Sequence, residues 1–182
     1  MEKTQALNEL NKQVNECQKC ELYSNCKNKV FSKGNINAKI MLIGEAPGRE
    51  ENEQGLPFVG KSGKKLNYLL TSSGFNPNTD IYFCNVVKCR PIRNNKDRKP
   101  NKKEVFECID YLYEQIHIIN PVAIILCGST AKNVFNIKEP MKNIHGKKFE
   151  RDSIKVFPVY HPRASIKEQD KINDFKSIKK QI

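Results

Sequence analysis

Apolar residues run almost without interruption through four short segments of the chain: AKIMLIG (38–44), IYFCNVV (81–87), PVAIILCG (121–128) and IKVFPVY (154–160). Runs of this length are typical of strands that are buried on both faces. Segments with helical spacing of apolar residues separate them. The alternation predicts an α/β fold of the doubly wound class, with a four-stranded parallel sheet flanked by helices on both faces.

The predicted helices lie between and after these strands. They cover residues 63–74, 102–119, 129–136 and 164–181. A further helix is predicted over residues 3–16, where Leu7, Leu10 and Val14 share one face. A chain of 182 residues suits one domain with a substantial core, so we expect a single domain over residues 1–182.

The carboxyl ends of the predicted strands carry the polar groups that suit a binding site. In open parallel sheets, ligands bind in the crevice at these ends. This rule selects Gly44 to Gly48, Asn85 to Cys89, Gly128 and His161. A glycine-rich turn, an amide and an imidazole would then face one crevice, as a small planar ligand requires.

The segment GLPFVGKS (55–62) matches the phosphate-binding pattern G-x-x-x-x-G-K-[ST]. That pattern binds nucleotides when a buried strand leads into the loop and a helix follows it. Here the preceding residues 49–54 are polar and acidic, which favours a solvated loop. We therefore expect no nucleotide cofactor, and a nucleoside triphosphatase is the weaker interpretation.

The chain is strongly basic, with 32 Lys and Arg against 20 Asp and Glu and a net charge of +12. Such an excess favours a polyanionic partner such as nucleic acid. It is concentrated between Lys88 and Lys103, where eight basic residues accompany the single acid Asp97. Pro91, Pro100 and several Asn in this segment predict an irregular loop that contacts phosphates.

Neither a run of eighteen apolar residues nor a charged-then-apolar leader is present. We therefore expect no membrane contact, no signal peptide and a cytoplasmic protein. A monomer is the default expectation for the oligomeric state.

Seven cysteines in a cytoplasmic chain indicate metal or cluster binding more than disulfides. Cys17 and Cys20 form a C-x-x-C pair, and Cys89 and Cys108 bracket the basic segment. A site built from these four thiolates would attach residues 1–35 to the rest of the domain. Spacing alone leaves a structural zinc ion and an iron-sulfur cluster open.

The remaining cysteines have other interpretations. Cys26 is a possible substitute ligand. Cys84 and Cys127 lie inside apolar runs and are expected to be ordinary buried thiols.

Four stretches, taken together and in this order, resemble family 4 uracil-DNA glycosylases. They are the cysteine pair, GEAPGREENEQGLPFVGKSG (44–63), NVVKCRP (85–91) with Cys108, and VYHPRAS (159–165). The resemblance covers nearly the whole chain. It implies the three-layer fold of that superfamily and a four-iron four-sulfur cluster bound by Cys17, Cys20, Cys89 and Cys108. It also implies that G-x-P-F-V-G-K-x-G belongs to a uracil pocket.

The activity that the resemblance implies is hydrolysis of the bond between uracil and deoxyribose, which leaves an abasic site in DNA. The base must first be flipped out of the stack. Phe58 would stack on the flipped ring. The carboxamide of Asn85 would accept from N3–H and donate to O4, a pattern that cytosine reverses. His161 would bind uracil O2 as negative charge develops there.

Two carboxylates are candidates on the sugar side of the scissile bond. By motif position Glu51 would position water and steady the positively charged sugar, with Glu45 assisting or shaping the pocket. The turn formed by Gly44, Ala46 and Gly48 would border the base. Other branches of the superfamily have Asp where Ala46 stands, so the identity of the water-activating group stays open.

The implied partner is uracil-containing DNA, single- or double-stranded. The phosphate contacts are assigned to Lys61, Arg90, Arg93, Arg98 and Arg163. A related branch traps DNA through a histidine before its last cluster cysteine, and none lies between Cys89 and Cys108. We therefore expect turnover. The alternative is a non-catalytic iron-sulfur or zinc protein that binds DNA with a degenerate pocket, and contact with a replication clamp is an open question.

Overall fold

A six-stranded sheet runs through the computed structural model, which describes residues 2–182. The strand order is β1-β3-β2-β6-β8-β7, and β4 and β5 form a separate two-stranded hairpin. The strands are β1 (Lys33–Gly34), β2 (Ile40–Gly44), β3 (Ile81–Asn85), β4 (Ile92–Arg93), β5 (Lys96–Asp97), β6 (Ala123–Cys127), β7 (Phe149–Arg151) and β8 (Ile154–Val159).

The four strands β3, β2, β6 and β8 are parallel to one another, which confirms the predicted sheet. The sheet is wider than predicted because antiparallel strands β1 and β7 are added at its two edges. Both are too short, at two and three residues, to show an alternating pattern. A tight turn with Asp152 and Ser153 in the left-handed region joins β7 to β8.

Seven α-helices and one 3-10 helix, Glu21–Asn25, are present among residues 2–182. The α-helices are α1 (Lys3–Glu16), α2 (Arg49–Gln54), α3 (Lys61–Ser72), α4 (Lys102–Ile119), α5 (Ser129–Val134), α6 (Met141–Ile144) and α7 (Glu168–Lys179). Among residues 2–182, no helix has the length and apolar composition that crossing a bilayer requires.

Two apolar cores lie on opposite faces of the sheet, because successive strand residues point to opposite sides. In β2, Met41 and Ile43 join the core under α1 and α4. Ile40 and Leu42 join the core under α3 and α7. Helices on both faces, as predicted, therefore leave the carboxyl edge of the sheet uncovered for a ligand.

The polar segment 49–54 forms helix α2, so the prediction of a solvated loop is wrong. The helix forms because the Glu51 carboxylate accepts a hydrogen bond from the Gly48 amide at 3.1 Å and caps its first turn. Glu51 and Asn52 are both buried. An acidic run that looks solvent-exposed in the sequence therefore contributes two side chains to the interior.

The basic segment is more ordered than predicted, since it contains the β4–β5 hairpin. Asn94 and Asn95 both adopt positive φ, at 51° and 59°, and form its tight turn. Asn tolerates this conformation better than most residues. The several Asn residues that predicted irregularity thus form a regular turn.

The N-terminal segment is attached to the body by apolar packing and by hydrogen bonds. Leu7, Leu10 and Val14 are buried on one face of α1, as the spacing predicted, and α1 packs on α4. Asn52 Oδ1 accepts from the Lys27 amide at 3.1 Å, and its backbone carbonyl accepts from Asn28 Nδ2 at 2.9 Å. The segment before β1 is therefore bound directly to α2.

The capping box at the start of α4 generates a stability prediction. Asn101 Oδ1 accepts from the Glu104 amide at 2.9 Å, and Glu104 Oε2 accepts from the Asn101 amide at 2.8 Å. We expect Asn101→Ala to lower the free energy of unfolding by about 1 kcal/mol in urea titrations. The exposed Lys102→Ala is the matched control, and equal unfolding midpoints for both variants would contradict the assignment.

Candidate active site

A cavity of about 410 Å³ lies at the carboxyl ends of the four parallel strands. Each strand contributes one lining residue at or just after its end: Gly44 from β2, Asn85 from β3, Cys127 from β6 and His161 after β8. This is the edge where the topology of a doubly wound sheet opens a crevice. The volume lies in the range of small-molecule pockets.

Most of the predicted site residues line this one cavity. They are Gly44, Glu45, Ala46, Gly48, Glu51, Phe58, Lys61, Asn85, Arg98, His161 and Arg163. Arg90 and Arg93 are not part of the lining. Three further lining residues, Glu50, Asp97 and Cys127, were not predicted to belong to the site. A clue to Asp97 was its position as the only acid in the basic segment.

Phe58 lies in the wall of the cavity with an unusual backbone. Its φ is 54°, in the left-handed region that bulky residues rarely adopt. Lys33 Nζ donates to its carbonyl at 2.9 Å, and a Cβ on Gly63 would lie 2.1 Å from that carbonyl. The ring packs on Phe83 at a centroid distance of 5.6 Å. The surrounding backbone thus fixes the ring.

Asn85 is only 3% exposed, yet its side chain faces the cavity. Apart from the hydrogen bonds of the sheet, Asn85 has one hydrogen bond within residues 2–182. Its backbone carbonyl accepts from Lys88 Nζ at 2.7 Å. Gly44 makes room for the carboxamide, because a Cβ there would lie 2.4 Å from Asn85 Oδ1 and 2.6 Å from Phe58 Cζ. The amide is therefore positioned to bind the edge of a planar ligand.

The carboxylate of Glu51 accepts three backbone hydrogen bonds. Oε2 accepts from Gly48, and Oε1 accepts from Val59 at 3.1 Å and from Gly60 at 2.9 Å. In a nucleotide-binding loop such amides would bind phosphate. Here the Glu51 side chain already binds the two loop amides, those of Val59 and Gly60. Helix α2 lies where a strand would lead into a nucleotide-binding loop.

The hydrogen bonding of His161 determines which ring nitrogen carries the proton. The Arg163 amide donates to Nδ1 at 3.3 Å, so in the neutral ring the proton lies on Nε2. Partial desolvation of the ring by the cavity wall lowers the pKa of His161, although the residue as a whole is open to solvent; the Glu45 carboxylate raises the pKa, and Arg163 and Lys171 lower it further. The imidazole is therefore neutral near pH 7 and offers one N–H donor.

Glu45 lies beside His161 at the start of the glycine-rich turn. Its carboxylate accepts a hydrogen bond from Thr130 Oγ1 in the first turn of α5. Thr130 fixes the direction of the carboxylate, although the sequence analysis did not select it. Cys127, between them in the sheet, is an inert thiol because burial raises its pKa to about 12.

Two of the predicted phosphate-binding arginines already engage carboxylates. Arg90 Nε lies 2.6 Å from Asp97 Oδ1, and Arg98 binds both oxygens of Glu104 at 2.8 and 2.6 Å. The Arg98 pair is bidentate, the strong geometry for such contacts. These pairs hold the β4–β5 hairpin at the rim of the cavity, while Lys61, Arg93 and Arg163 are exposed.

The four predicted cysteine ligands line a second, smaller cavity. Cys17 ends α1, Cys20 precedes the 3-10 helix, Cys89 follows β3 and Cys108 lies on α4. The Lys88 amide donates to Cys108 Sγ at 3.4 Å. Cys26, the alternative ligand, donates its thiol to the Asn28 carbonyl at 3.2 Å and lies outside the lining.

The thiols surround this cavity without closing on a single point. Among residues 2–182, no three His, Cys, Asp or Glu side chains lie close enough to share one metal ion. A zinc ion would hold all four sulfurs about 2.3 Å from its centre. Four thiols around one cavity are a donor set that suits either a structural zinc ion or a four-iron four-sulfur cluster.

The similarity of the chain to known proteins shows the family to which it belongs. A model of the uracil DNA glycosylase superfamily matches residues 31–181. The protein belongs to this superfamily.

Several relatives in the superfamily carry the name Type-4 uracil-DNA glycosylase, among them proteins from Archaeoglobus fulgidus and Thermotoga maritima. The one from Archaeoglobus fulgidus is 37% identical over 169 residues, which cover 88% of this chain and 83% of the relative. The one from Thermotoga maritima is 39% identical over 156 residues, which cover 84% of this chain and 79% of the relative. A Type-5 uracil-DNA glycosylase from Pyrobaculum aerophilum is 27% identical over 146 residues, which cover 71% of this chain and 63% of the relative.

The environment of His161 in this superfamily member can be measured by NMR titration of the imidazole. We expect a midpoint below 6.5. Glu45→Gln removes the charge that raises the pKa and should lower the midpoint further, whereas Arg163→Gln should raise it. His161→Gln identifies the resonance. A midpoint that neither charge substitution moves would contradict the geometry.

Proposed function

We propose that this protein is a uracil-DNA glycosylase that flips uracil out of DNA, hydrolyses its N-glycosidic bond and leaves an abasic site. The observation that carries the proposal is that Phe58, Asn85 and His161 line one cavity at the carboxyl edge of the sheet. The names of the Type-4 relatives support the same activity. The enzyme acts in DNA repair.

Recognition of the flipped base rests on two side chains. The Phe58 ring stacks on the pyrimidine, and its fixed backbone keeps the stacking surface in place. The Asn85 carboxamide accepts from N3–H and donates to O4. Cytosine presents an acceptor and a donor at the same positions, so it would leave buried polar groups unpaired. The buried amide therefore selects uracil.

His161 acts on the leaving group. As the glycosidic bond breaks, the electron pair passes to uracil N1 and negative charge spreads to O2. The neutral imidazole donates its Nε2–H to O2 and needs no proton transfer to do so, because Nδ1 is already held by the Arg163 amide. A preformed donor aimed at developing charge is an effective form of catalysis.

Glu45 and Glu51 supply negative charge on the sugar side. Both line the cavity, and both are oriented by hydrogen bonds, from Thr130 to Glu45 and from three amides to Glu51. We assign them to stabilising the oxocarbenium-like sugar and to positioning the attacking water. Glu51 also holds the shape of the Gly44–Gly48 turn and of the Val59–Gly60 turn.

The DNA backbone is bound at the rim of the cavity. Lys61, Arg93 and Arg163 are exposed there or on the hairpin, and they provide direct phosphate contacts. Arg90 and Arg98 contribute positive charge while their ion pairs with Asp97 and Glu104 order the hairpin. The excess of basic residues in the chain supports DNA as the partner.

The second cavity is the proposed site of a four-iron four-sulfur cluster bound by Cys17, Cys20, Cys89 and Cys108. The convergence of these thiols on one cavity supports this assignment. Bound there, the cluster would cross-link the N-terminal segment, the start of the basic segment and α4. Its role is structural, and the hydrolysis is carried out by the residues of the first cavity.

A cytoplasmic location is proposed because the seven cysteines form no disulfide bonds, as is usual in a reducing compartment. A monomer is the proposed oligomeric state.

Release of uracil is the direct test. A uracil-containing oligonucleotide incubated with the protein and treated with alkali should be cleaved at the uracil. We expect His161→Ala to slow the single-turnover rate by about 100- to 1,000-fold, the range for losing one such donor. Asn85→Ala should also slow it and weaken discrimination against cytosine.

The exposed His117→Ala and Asn8→Ala are the matched controls and should retain the wild-type rate. A wild-type protein that binds the oligonucleotide but leaves it intact would identify a non-catalytic DNA-binding protein instead.

Iron and sulfide analysis tests the second cavity. The purified protein should be brown and contain about four iron atoms and four acid-labile sulfides per chain. Cys89→Ser and Cys108→Ser should lose the colour and most of the iron, while Cys26→Ser should keep both. One zinc ion per chain with no sulfide would contradict the cluster.

A further inference from the structure

Two buried lysines lie directly behind the side chains that read uracil. Lys88 is 2% exposed and Lys171 is 5% exposed. Lysine is almost never buried to this degree unless it is paired. Yet neither forms a salt bridge with a carboxylate in the part of the chain that the structure describes. Their ammonium groups are instead bound by neutral oxygens.

Lys88 holds the backbone that carries Asn85. Its Nζ donates to the Asn85 carbonyl at 2.7 Å and to Gln115 Oε1 at 2.5 Å. Gln115 is itself anchored, since its Nε2 donates to the Tyr82 hydroxyl at 3.0 Å and to the Phe31 carbonyl at 3.2 Å. The end of β3 is thereby tied to α4.

Lys171 does the same for the loop that carries His161. From α7 its Nζ donates to the Pro162 carbonyl at 2.9 Å and to the Ala164 carbonyl at 2.6 Å. This turn contains the Arg163 amide that holds His161 Nδ1, and the Ala164 amide donates to the His161 carbonyl at 2.9 Å. The ammonium closes the turn that sets the direction of the imidazole.

A buried lysine without a carboxylate partner is an expensive way to stabilise a fold. Apolar groups of similar volume often replace buried charges with no loss of stability, or with a gain. Lys88 and Lys171 are distinguished by where they donate, since each holds the backbone next to a different recognition residue, and this placement indicates a role in the site.

We propose that Lys88 and Lys171 are positioning residues of the uracil pocket: Lys88 fixes the Asn85 carboxamide, and Lys171 fixes the His161 imidazole. This inference rests on the proposed function of the pocket. Neither lysine touches the base; each acts through the backbone that it holds. Misplacing a catalytic group by about 1 Å can slow a reaction by about 100-fold, so the effect on rate should be large.

The chain provides a matched control in Lys132. It is 6% exposed, and its Nζ donates to two backbone carbonyls, those of Ile137 at 2.6 Å and Glu139 at 2.9 Å. Those residues do not line the cavity. Lys132→Met therefore removes a buried ammonium of the same kind without disturbing the pocket.

The experiment compares Lys88→Met, Lys171→Met and Lys132→Met in single-turnover uracil release, oligonucleotide affinity and thermal unfolding. We expect the first two variants to be slower by about tenfold to about 100-fold with unchanged affinity. Lys132→Met should keep the wild-type rate. The melting temperatures of the slow variants should be no lower than that of Lys132→Met.

A second substrate separates the two lysines. Fluorine at C5 makes the departing base a more stable anion, so 5-fluorouracil needs less help from a donor at O2. The rate deficit of Lys171→Met should shrink on this substrate, whereas that of Lys88→Met should persist. Lys88→Met should also show weaker discrimination between uracil and cytosine.

The results distinguish positioning of the site from a general loss of stability. Wild-type rates in both variants, or rates that fall in all three variants in parallel with their melting temperatures, would overturn the inference. If Lys88→Met loses iron, the rate of Lys171→Met alone tests the inference, because Lys171 lies on α7, far in sequence from the four proposed ligand cysteines. A wild-type protein that releases no uracil would refute the proposed function instead.

Discussion

The pocket depends on one buried carboxylate. Glu51 is 8% exposed and accepts hydrogen bonds from the amides of Gly48, Val59 and Gly60. A carboxylate buried to this degree is tolerated only when such bonds replace water. The three amides, in turn, would be left without partners if the side chain were removed. The two turns that line the cavity are therefore joined by a single group.

This constraint explains the strained conformation of Phe58. Val59 and Gly60 are held by Glu51 on one side, and Lys33 holds the Phe58 carbonyl on the other. Between these fixed points the backbone passes through the left-handed region. The energy of that conformation is offset by the surrounding hydrogen bonds, and the aromatic ring is held in the wall of the cavity. Such preorganisation reduces the loss of entropy on binding.

Much of this arrangement could be predicted from the sequence, because the sheet obeys simple periodicity. The four buried strands and the rule for their carboxyl ends lead directly to Gly44, Asn85 and His161. The same logic fails for α2. Its helix depends on a side chain that caps its own first turn and continues to a loop eight and nine residues later. No local pattern in a polar run contains that information.

The residues that contact the site from distant parts of the chain could not be predicted from the sequence for a similar reason. Thr130 binds Glu45 across 85 residues, and Gln115 reaches the Phe31 carbonyl across 84. Lys171 looks like any lysine on an amphipathic helix until the loop after β8 folds over it. A single sequence reveals which residues are chemically capable, but the contacts that orient them exist only after the strands and helices have assembled.

The hydrogen bonds of Asn52 to Lys27 and Asn28 have a practical consequence for dividing the chain. The family match begins at residue 31, which suggests a natural place to shorten the protein. A chain cut there would lose both partners of Asn52 together with the cysteine pair, and α2 would be released on the side facing away from the pocket. The contacts that hold α2 therefore extend beyond the aligned residues 31–181, into the segment that a boundary at residue 31 discards.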